Sequence, residues 1–411
     1  MRVALSHWYG PENLGDLAIL CAQYSLLAAL DDDLHVELVA TDTAAIGSAA
    51  ATGLAFDGIH VLPWQSPSSA GWSGWALGGA RALLCLLDPQ RLTLGADLRR
   101  FRDLLLRVEM LMPKGGGYLY ARGGLRGPLF TARICWPLLL ARRLKVRRVV
   151  WGHSIGPCES RPGAMILRHA LKGAEIVVRD RASLAILKKW KIPARMAPDL
   201  AFRLVADDLD GSLARPGAGL RRIGLTARTL ARGERAQATY EDTLRRGLNT
   251  LVEQVRYEGA NVEVVGIVQS SGPSSRENDR HVLARVLAGL DCRTVLEAPG
   301  EGRKVPTMPE LLAVYATLDL LVATRMHSAI LASCAGRPFV VTEYIGGKAR
   351  GMVEALGLPD WVYLADLNDL SSTLSRAWRE RTELERLIRR GARQASRELE
   401  KVTSIWRSGS Q

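Results

Sequence analysis

An arginine and a histidine stand two residues apart where an apolar segment gives way to a run of small residues. In LLVATRMHSAILASC, Leu320–Ala323 is expected to be a buried strand, and Arg325, His327 and Ser328 follow it at the start of a helix. The positive end of a helix dipole stabilises anions, and a histidine side chain can exchange protons near neutral pH. An arginine that leaves so apolar a strand is partly buried and needs a partner for its charge. We therefore interpret Arg325 and His327 as an anion-binding and acid–base pair, in preference to an ordinary ion pair beside a hydrogen-bonded histidine.

Two further cationic side chains follow other expected strands in the same half of the chain. Arg228 stands two residues after the strand Arg222–Thr226, and Lys348 follows the strand Phe339–Thr342 in TEYIGGKARG. The planar fork of a guanidinium group suits a carboxylate or a phosphate. The polar loop QSSGPSSREND, after the strand Val262–Val268, could hold a phosphate or sugar hydroxyls. Because parallel strands end at one edge of a sheet, these groups are expected to gather at one anion-binding cleft.

The first expected strand ends in a turn-rich loop, HWYGPENLGDLAIL, which brings three residues to the start of an apolar helix. Asn13 is a candidate contact for a substrate, and Gly15 allows close approach of the backbone. Asp16 can act either as the N-cap of the helix or as a catalytic carboxylate. Capping is the commoner role of an aspartate at a helix start, and the residue types leave both roles open.

Two other strand ends in the N-terminal half carry groups suited to binding. In PKGGGYLY, Gly116 and Gly117 could present backbone N–H groups to a ligand, and a tight bend without a ligand is an equal alternative. The segment lacks the GK[ST] and GxGxxG spacings of nucleotide-binding loops. In WGHSIGP, His153 and Ser154 follow the strand Arg148–Gly152. Without a GxSxG elbow, this pair indicates binding instead of nucleophilic catalysis.

Short β-branched segments alternate with longer amphipathic segments along the chain, which is typical of parallel strands joined by crossover helices. The expected strands are Arg2–Ser6, His35–Ala40, Ile59–Pro63, Met110–Lys114, Arg148–Gly152, Ile176–Val178, Ala194–Ala197, Arg222–Thr226, Val262–Val268, Leu320–Ala323 and Phe339–Thr342. The sequence therefore predicts an α/β fold made of two doubly wound, Rossmann-like domains facing a central cleft.

A polar segment rich in Gly, Asp and Pro, DDLDGSLARPGAG, divides the chain. We expect an N-terminal domain over 1–206, a linker over 207–219, a C-terminal domain over 220–369, and a basic helix with a tail over 370–411. In that last segment, apolar residues recur at near-helical spacing, namely Leu374, Trp378, Leu384, Leu387 and Ile388. Glutamates alternate with the arginines around them, as on a solvated surface. We expect the helix to pack on the N-terminal domain, and peripheral association with an anionic membrane is the alternative.

The composition is that of a folded protein with an anionic partner. Hydrophobic residues make up 47% and charged residues 24% of the chain, and no apolar stretch has the length that spans a bilayer. A net charge of +13 favours a phosphorylated or carboxylated substrate, an acidic membrane or nucleic acid. Dispersed basic residues and an aromatic content of 6% argue against nucleic acid. Six cysteines without metal-ligand spacing are expected to be buried free thiols. The start MRVALSH is typical of a strand, so we expect a cytoplasmic protein.

In its order of motifs, the chain resembles the polysaccharide pyruvyl transferase family. The matching segments are NLGDLAIL, GGGYLY, GHSIGP, VVRDRASLAIL, APDLAF, GLTAR, TRMHSAILASCAGRPFVV and EYIGGKARGMVEALGLP. The segment around RMHSAILA is the most specific of them. The resemblance implies a GT-B-like fold, phosphoenolpyruvate as donor co-substrate and a sugar diol as acceptor. It implies a cyclic pyruvate ketal as product.

The resemblance also implies roles for the candidate residues. Carried over by motif, Arg325 and His327 become donor-site residues, and Arg228 becomes part of the anion clamp. The full donor-binding set is then Arg325, Arg228, Lys348 and Ser328. The acceptor-binding set is Asn13, Gly116, Gly117, His153 and Ser154, and the catalytic groups are His327 and Asp16. Neither a cofactor nor a metal is expected, and the acceptor could be lipid-linked.

Two other functions fit the same residue types. A nucleotide-sugar glycosyltransferase of the same architecture would use the anion clamp for a diphosphate, with Glu343 serving the ribose. A non-catalytic protein that binds anions or membranes would need only the basic surface.

Overall fold

The computed structural model describes residues 1–49, 52–205, 219–230, 233–272, 278–290, 292–297, 305–342 and 348–408. The chain divides into two compact units. The first contains Met1–Pro11 and Ile19–Leu200, and the second contains Glu12–Ala18 and Ala201–Ser410. The linker expected over 207–219 lies outside the described residues apart from its last residue, and Glu343 lies outside them too.

The described part of the first unit contains an eight-stranded parallel sheet. Its strands are β1 (Arg2–Trp8), β2 (His35–Ala40), β3 (Gly58–Val61), β4 (Met110–Pro113), β5 (Gly116–Ala121), β6 (Arg147–Cys158), β7 (Glu175–Val178) and β8 (Arg195–Met196). They follow the order β3-β2-β1-β4-β6-β7-β8, with β5 paired to β6. Strand β1 therefore lies between β2 and β4, where the direction of winding reverses. In doubly wound sheets, ligands bind at this reversal point.

Helices connect the strands of the first unit. They are α1 (Leu14–Ala28), whose first turn belongs to the second unit, α2 (Ile46–Ala49), α3 (Pro67–Leu87), α4 (Ala96–Arg107), α5 (Gly127–Arg143), α6 (Arg161–Leu171) and α7 (Arg181–Lys189). Most residues of β1 and all four of β4 are buried, as expected of parallel strands covered on both faces. Between the helices, the ring of Trp136 packs 5.3 Å from that of Phe101. Its Nε1 donates a hydrogen bond of 2.7 Å to the carbonyl of Ala82.

The second unit repeats this architecture. Its described strands are β9 (Leu220–Leu225), β10 (Asn261–Val268), β11 (Cys292–Glu297), β12 (Leu320–Ala323), β13 (Phe339–Thr342) and β14 (Tyr363–Leu364), in the order β11-β10-β9-β12-β13-β14. Its helices are α8 (Glu234–Tyr257), α9 (Arg280–Leu287), α10 (Met308–Ala316), α11 (Met326–Cys334), α12 (Lys348–Ala355), α13 (Leu370–Arg379) and α14 (Arg381–Ser408). All of the described strand pairs are parallel, and the winding reverses between β9 and β12. The predicted α/β class with two doubly wound sheets is therefore confirmed.

The C-terminal helices pack on elements of their own unit, and their expected packing on the N-terminal domain stays a prediction. The side chain of Trp378 is fully buried, and its Nε1 donates to Glu258 Oε2 at 2.9 Å. Further along, a Cβ placed on Gly391 would stand 2.3 Å from the carbonyl oxygen of Leu356. Small residues on the buried face of α14, such as Gly391 and Ala392, let the helix approach the backbone at Leu356 closely.

The sequence pattern predicts some element bounds correctly and misses other elements. Strands β2, β12 and β13 have the bounds given by the pattern. Strand β5 occupies the glycine-rich segment that suggested a bend. Helices α3 and α4 lie between two predicted strands, where the pattern predicts crossover helices but gives no bounds. Among the cysteines whose side chains are described, Cys158 is exposed, because it is the last residue of β6. The prediction of a buried thiol is therefore wrong for Cys158.

Candidate active site

The candidate site of the second unit lies at the reversal point of its sheet, after β9 and β12. Thr324, just beyond β12, is hydrogen-bonded twice to Thr226, just beyond β9. The backbone N–H of Thr324 donates to Thr226 Oγ1 at 3.0 Å, and its hydroxyl donates to the carbonyl of Thr226 at 2.9 Å. This pair of hydrogen bonds fixes the two segments that carry Arg228 and Arg325.

Arg325 is held by a buried carboxylate. Its Nη2 donates to Asp279 Oδ1 at 2.5 Å, and the side chain of Asp279 is fully buried. The second carboxylate oxygen accepts from the backbone N–H of Ser270 at 3.0 Å. Burial raises the pKa of Asp279, and the adjacent charge of Arg325 opposes that rise. The Nε of Arg325 is buried without a hydrogen-bond partner among the described residues, so a strong donor remains for a ligand.

Arg228 lies close enough to Asp279 for its charge to favour the ionised carboxylate. Its backbone N–H donates to the hydroxyl of Tyr240 at 3.2 Å. Tyr240 belongs to α8, and burial raises its pKa to about 12, so the hydroxyl stays protonated at neutral pH. The charges of two guanidinium groups thus act on a single buried carboxylate, and the net positive charge of the three groups favours a further anion.

The segment Glu12–Ala18 is bound to the second unit by main-chain hydrogen bonds. The N–H of Leu14 donates to the carbonyl of Gln269 at 3.0 Å, and the N–H of Ser271 donates to the carbonyl of Glu12 at 2.8 Å. These bonds attach a piece of the N-terminal sequence to the loop that follows β10. They explain why the segment groups with a unit that is otherwise built from the second half of the chain.

Gly15, in this segment, lies directly against the imidazole of His327. A Cβ placed on Gly15 would stand 2.6 Å from Nδ1 and 2.7 Å from Cγ of His327. Real Cβ atoms do not approach other atoms so closely, so the contact requires glycine. His327 occupies the first turn of α11, two residues after Arg325, and it is partly exposed. The imidazole is therefore positioned by the N-terminal segment on one side and by its own helix on the other.

Asn13, and not Asp16, caps helix α1. The side-chain oxygen of Asn13 accepts from the N–H of Gly15 at 2.9 Å, and its carbonyl accepts from the N–H groups of Asp16 and Leu17. The N-cap position that the sequence left open for Asp16 is thus occupied by Asn13. Asp16 lies partly exposed in the first turn. Burial raises the pKa of Glu12, and the negative charge of Asp16 acts in the same direction.

Two residues predicted to bind the donor differ in their surroundings. Ser328 is fully buried, and its hydroxyl donates to Gln269 Oε1 at 3.0 Å. The same oxygen accepts from the hydroxyl of Tyr315 at 3.0 Å, so Ser328 supports the loop that holds the N-terminal segment. Lys348 is partly exposed and begins helix α12.

A second polar cluster lies in the first unit, at its own reversal point. His7 has a left-handed backbone, with φ of 67°, where the pairing of β1 with β2 changes register. Its ring stacks on Tyr118, with centroids 4.9 Å apart, and its Nε2 donates to the carbonyl of Ile134 at 2.9 Å. Burial lowers the pKa of His7 to about 4, and the charges of Arg133 and Lys114 also act to lower it. The ring is therefore neutral at physiological pH.

His153 joins this cluster through Tyr118. Its Nδ1 lies 3.0 Å from the carbonyl of Trp151, and its Nε2 lies 3.2 Å from the hydroxyl of Tyr118. That hydroxyl also lies 2.5 Å from the carbonyl of Lys114. Burial lowers the pKa of His153, so the neutral ring donates from Nδ1 and accepts at Nε2. One hydroxyl proton can be donated to only one of these two acceptors.

The remaining residues assigned to the acceptor lie nearby in the first unit. Ser154 is buried and accepts from Arg179 Nε at 2.9 Å, while Nη1 of the same arginine donates to Asp199 at 2.6 Å. Gly116 is paired with β6, whereas Gly117 is exposed. Both glycines lie in strand β5, so the tight bend without a ligand is wrong, and their binding to an acceptor stays a prediction.

The structure thus divides the predicted site residues between the two units. The second unit holds Arg325, His327, Arg228, Lys348, Ser328, Asn13 and Asp16, and the first holds Gly116, Gly117, His153 and Ser154. Sequence reasoning missed Asp279 as the partner of Arg325, although it ends the polar loop QSSGPSSREND. It also missed Glu12, which directly precedes the capping residue Asn13.

Comparison with known proteins supports a family and a fold. A family described as polysaccharide pyruvyl transferase matches residues 111–345, more than half of the chain. The amylovoran biosynthesis protein AmsJ of Erwinia amylovora is 26% identical over 287 residues, which are 64% of this chain and 63% of that protein. The chain thus spans somewhat less than two thirds of this relative's length.

Solved structures resemble the whole chain in fold. A UDP-GlcNAc 2-epimerase from Neisseria meningitidis has a TM-score of 0.51 and 11% identity, over 95% of this chain and 94% of its own. A trehalose-6-phosphate synthase has a TM-score of 0.53 and 13% identity, over 98% of both chains. At such identities the similarity concerns the fold alone, and it agrees with the GT-B-like architecture expected from the sequence.

Proposed function

Because this chain belongs to the polysaccharide pyruvyl transferase family, we propose that it transfers the pyruvyl group of phosphoenolpyruvate to two hydroxyls of one sugar. The product is a cyclic pyruvate ketal, and phosphate is released. The observation that carries the proposal is the site of the second unit. There Arg325 pairs with the buried carboxylate of Asp279, on which the charge of Arg228 also acts, and His327 follows Arg325 by two residues and lies against Gly15.

The donor is dianionic or more strongly charged, because it carries a carboxylate and a phosphate. Two guanidinium groups match these two planar or branched anions better than ammonium groups would. Arg325 uses Nη2 for Asp279 and keeps its buried Nε for a ligand. Lys348 supplies a point charge that can offset charge on the departing phosphate.

The reaction requires protons to move at defined atoms. A proton adds to the methylene carbon of phosphoenolpyruvate, and one sugar hydroxyl forms a C–O bond to the central carbon. The bond from that carbon to the phosphate oxygen then breaks, and the second hydroxyl takes its place. The two hydroxyls release two protons, of which one replaces the proton given to the methylene carbon and the other leaves with phosphate. The scheme balances without a metal or a redox cofactor.

His327 is the proposed general acid and base for these transfers. An imidazole can give and take protons near neutral pH, and Gly15 restricts its position. Asp16, in the first turn of α1 beside Gly15, is the proposed second catalytic group, since a carboxylate near the site can accept a proton from a sugar hydroxyl.

The acceptor is proposed to be a glycan or a glycoside, in agreement with the family name and with the name of the relative from amylovoran biosynthesis. Its proposed contacts in the first unit are Gly117, His153 and Tyr118. The hydroxyl of Tyr118 lies between two acceptors and can satisfy only one of them, so a sugar hydroxyl that donates to His153 Nε2 would complete the cluster. We also propose that the protein acts in the cytoplasm.

Ligand-dependent melting of the purified chain tests the donor. Phosphoenolpyruvate should raise the melting temperature well above the effect of equimolar inorganic phosphate or pyruvate, because only the whole molecule engages both arginines. UDP-GlcNAc serves as the competitor for a nucleotide-sugar enzyme. A shift with UDP-GlcNAc and none with phosphoenolpyruvate would overturn the proposal.

A further inference from the structure

Helix α3 of the first unit exposes an apolar face that the transfer reaction does not explain. Trp72 is 55% exposed, Leu77 62% and Leu87 67%, and Leu83 and Leu84 are each about two fifths exposed. Large apolar side chains are normally exposed singly on a protein surface. Here five of them occur within about five turns of one helix.

The exposed residues lie on one side of α3. At 100° per residue, every exposed position from Trp72 to Leu87 falls within an arc of about 140°, and the intervening positions are serine or alanine. The opposite side is anchored in the core by Trp75, Ala82 and Cys85. The exposed arc carries no charged residue, since the arginine of the helix, Arg81, lies outside it and donates to the carbonyl of Leu94. The exposed arc is therefore a continuous apolar stripe, and the opposite side of α3 is fixed in the core.

Basic residues border this face. The guanidinium of Arg126 lies 4.5 Å above the ring of Trp72, and the neighbouring Leu125 is fully exposed. At the other end of the helix, the side chain of Arg91 is 89% exposed. Over residues 64–143, which include α3 and its neighbours, the sequence has twelve lysines and arginines against four aspartates and glutamates. Some of these cations are buried or paired with carboxylates, as Lys114 and Arg81 are, and the segment around the apolar stripe still carries a net positive charge.

We propose that the exposed face of α3 docks on the surface of an anionic phospholipid membrane. Tryptophan and leucine on one face, with arginine at its border, is the composition of helices that lie in the plane of a membrane interface. Arginine can extend its charge to the headgroups while its stem and the stacked indole enter the apolar boundary. No helix in the described part of the chain is long and apolar enough to cross a membrane, so the contact is at the surface.

Charge favours a membrane over a second copy of the chain. A two-fold dimer through α3 would place the same surface of both copies face to face. The basic residues that border the face in the two copies would then repel each other, whereas the negative charge of an anionic bilayer would attract them. This inference is independent of the proposed transfer reaction and of its donor.

Co-sedimentation with vesicles tests the docking face. The wild-type chain should bind vesicles of mixed phosphatidylcholine and phosphatidylglycerol and should bind weakly to pure phosphatidylcholine. The variant Leu77→Ser/Leu84→Ser/Leu87→Ser should bind the mixed vesicles at least about tenfold less, because three leucines lose their burial in lipid. The matched control is Met165→Ser/Tyr257→Ser, which removes two apolar side chains of equal or greater exposure elsewhere. It should bind like the wild type.

Two further measurements identify the contact. Lipids with brominated chains should quench part of the tryptophan fluorescence of the wild type, and that part should be lost in Trp72→Phe. Arg126→Glu should weaken binding to the mixed vesicles and leave the melting temperature unchanged. Undiminished vesicle binding by the triple serine variant, or no binding by the wild type, would overturn the proposal. So would a wild-type dimer that the same variant converts to monomers, since a second copy would then occupy the face.

Discussion

The backbone of Gly15 lies against the imidazole of His327, so closely that a Cβ on Gly15 would stand 2.6 Å from Nδ1. The two residues lie far apart in sequence, and main-chain bonds from Leu14 and Glu12 hold the N-terminal segment in place. Because φ at Gly15 is not in the left-handed region, the glycine is required by the approach itself. The position of the proposed acid–base group thus depends on a residue that carries no functional group.

Gly15→Ala should displace His327 and lower turnover with little effect on donor binding. The new methyl group cannot coexist with the imidazole in its present place, and a misplaced catalytic group loses about 100-fold in rate. The control is Gly351→Ala, in α12 of the same unit, where a Cβ meets nothing within 4 Å. Steady-state kinetics give the turnover number of each variant. Equal turnover of Gly15→Ala and Gly351→Ala would show that the contact between Gly15 and His327 has no catalytic role.

His327→Gln should keep the fold and much of the donor affinity while lowering turnover by about 100- to 10,000-fold, the usual contribution of a positioned acid or base. An amide can replace the hydrogen bonds of the ring but cannot transfer its proton. His281→Gln, on the exposed side of α9, is the matched control. Near-normal turnover in a folded His327→Gln protein would remove the residue from the mechanism.

Arg325→Lys should raise the KM for phosphoenolpyruvate by about 10- to 100-fold, even though the charge is retained. A lysine can keep the ion pair with Asp279, but it lacks the second, buried N–H donor that Arg325 provides at Nε. The same exchange at Arg376, whose partner Glu380 lies on an exposed helix face, should leave KM unchanged. An unaltered KM in Arg325→Lys would exclude Arg325 from the donor clamp.

Glu12→Gln should raise the melting temperature at neutral pH. A glutamate side chain has an ordinary pKa of 4.5, and burial raises the pKa of Glu12 above that value in the folded protein. The unfolded chain therefore releases this proton first, and as pH rises from 4.5 through the folded pKa the residue costs increasing stability. The gain from glutamine should disappear below pH 4.5. Glu253→Gln, on an exposed face of α8, controls for the general loss of a carboxylate, and a pH-independent gain would contradict the account.

Trp378→Ala should lower the free energy of unfolding by about 3–5 kcal/mol, the usual loss for a large aromatic side chain in a core. The indole is fully buried, and its hydrogen bond to Glu258 is lost as well. Trp361→Ala, which removes a partly exposed ring beside Arg376, should cost clearly less. Urea denaturation measures both. Equal losses would mean that the C-terminal helices contribute little to the stability of the second unit.

The sheets of both units could be predicted because their strands carry the strongest local signal. Leu320–Ala323 and Phe339–Thr342 are short apolar runs bounded by polar residues, and their bounds agree with the structure. Strand β5 could not be recognised, since glycines disfavour strands and Gly116 and Gly117 are retained there only through pairing with β6. The bounds of helix α3 could not be read from the sequence because its apolar residues occur all round it, with one side in the core and the other exposed.

The residue types of the candidate site could be predicted from the sequence, but the contacts between these residues could not. Arg325, Arg228 and His327 follow strands of one sheet, so their convergence follows from topology. The partnership of Arg325 with Asp279 and the contact of His327 with Gly15 are long-range, and no local pattern encodes them. The same holds for His153 and Ser154, whose burial could not be read from a strand end.

Mass spectrometry of a sugar diol incubated with the wild-type chain and phosphoenolpyruvate in D2O tests the central claim most directly. The account predicts a product heavier than the acceptor by one pyruvate less one water, one phosphate released per product, and one deuterium fixed in the new methyl group, because His327 delivers a solvent-derived proton to the methylene carbon. An acceptor that gains no such mass while phosphoenolpyruvate stays intact, or that instead gains a sugar from UDP-GlcNAc, would contradict it.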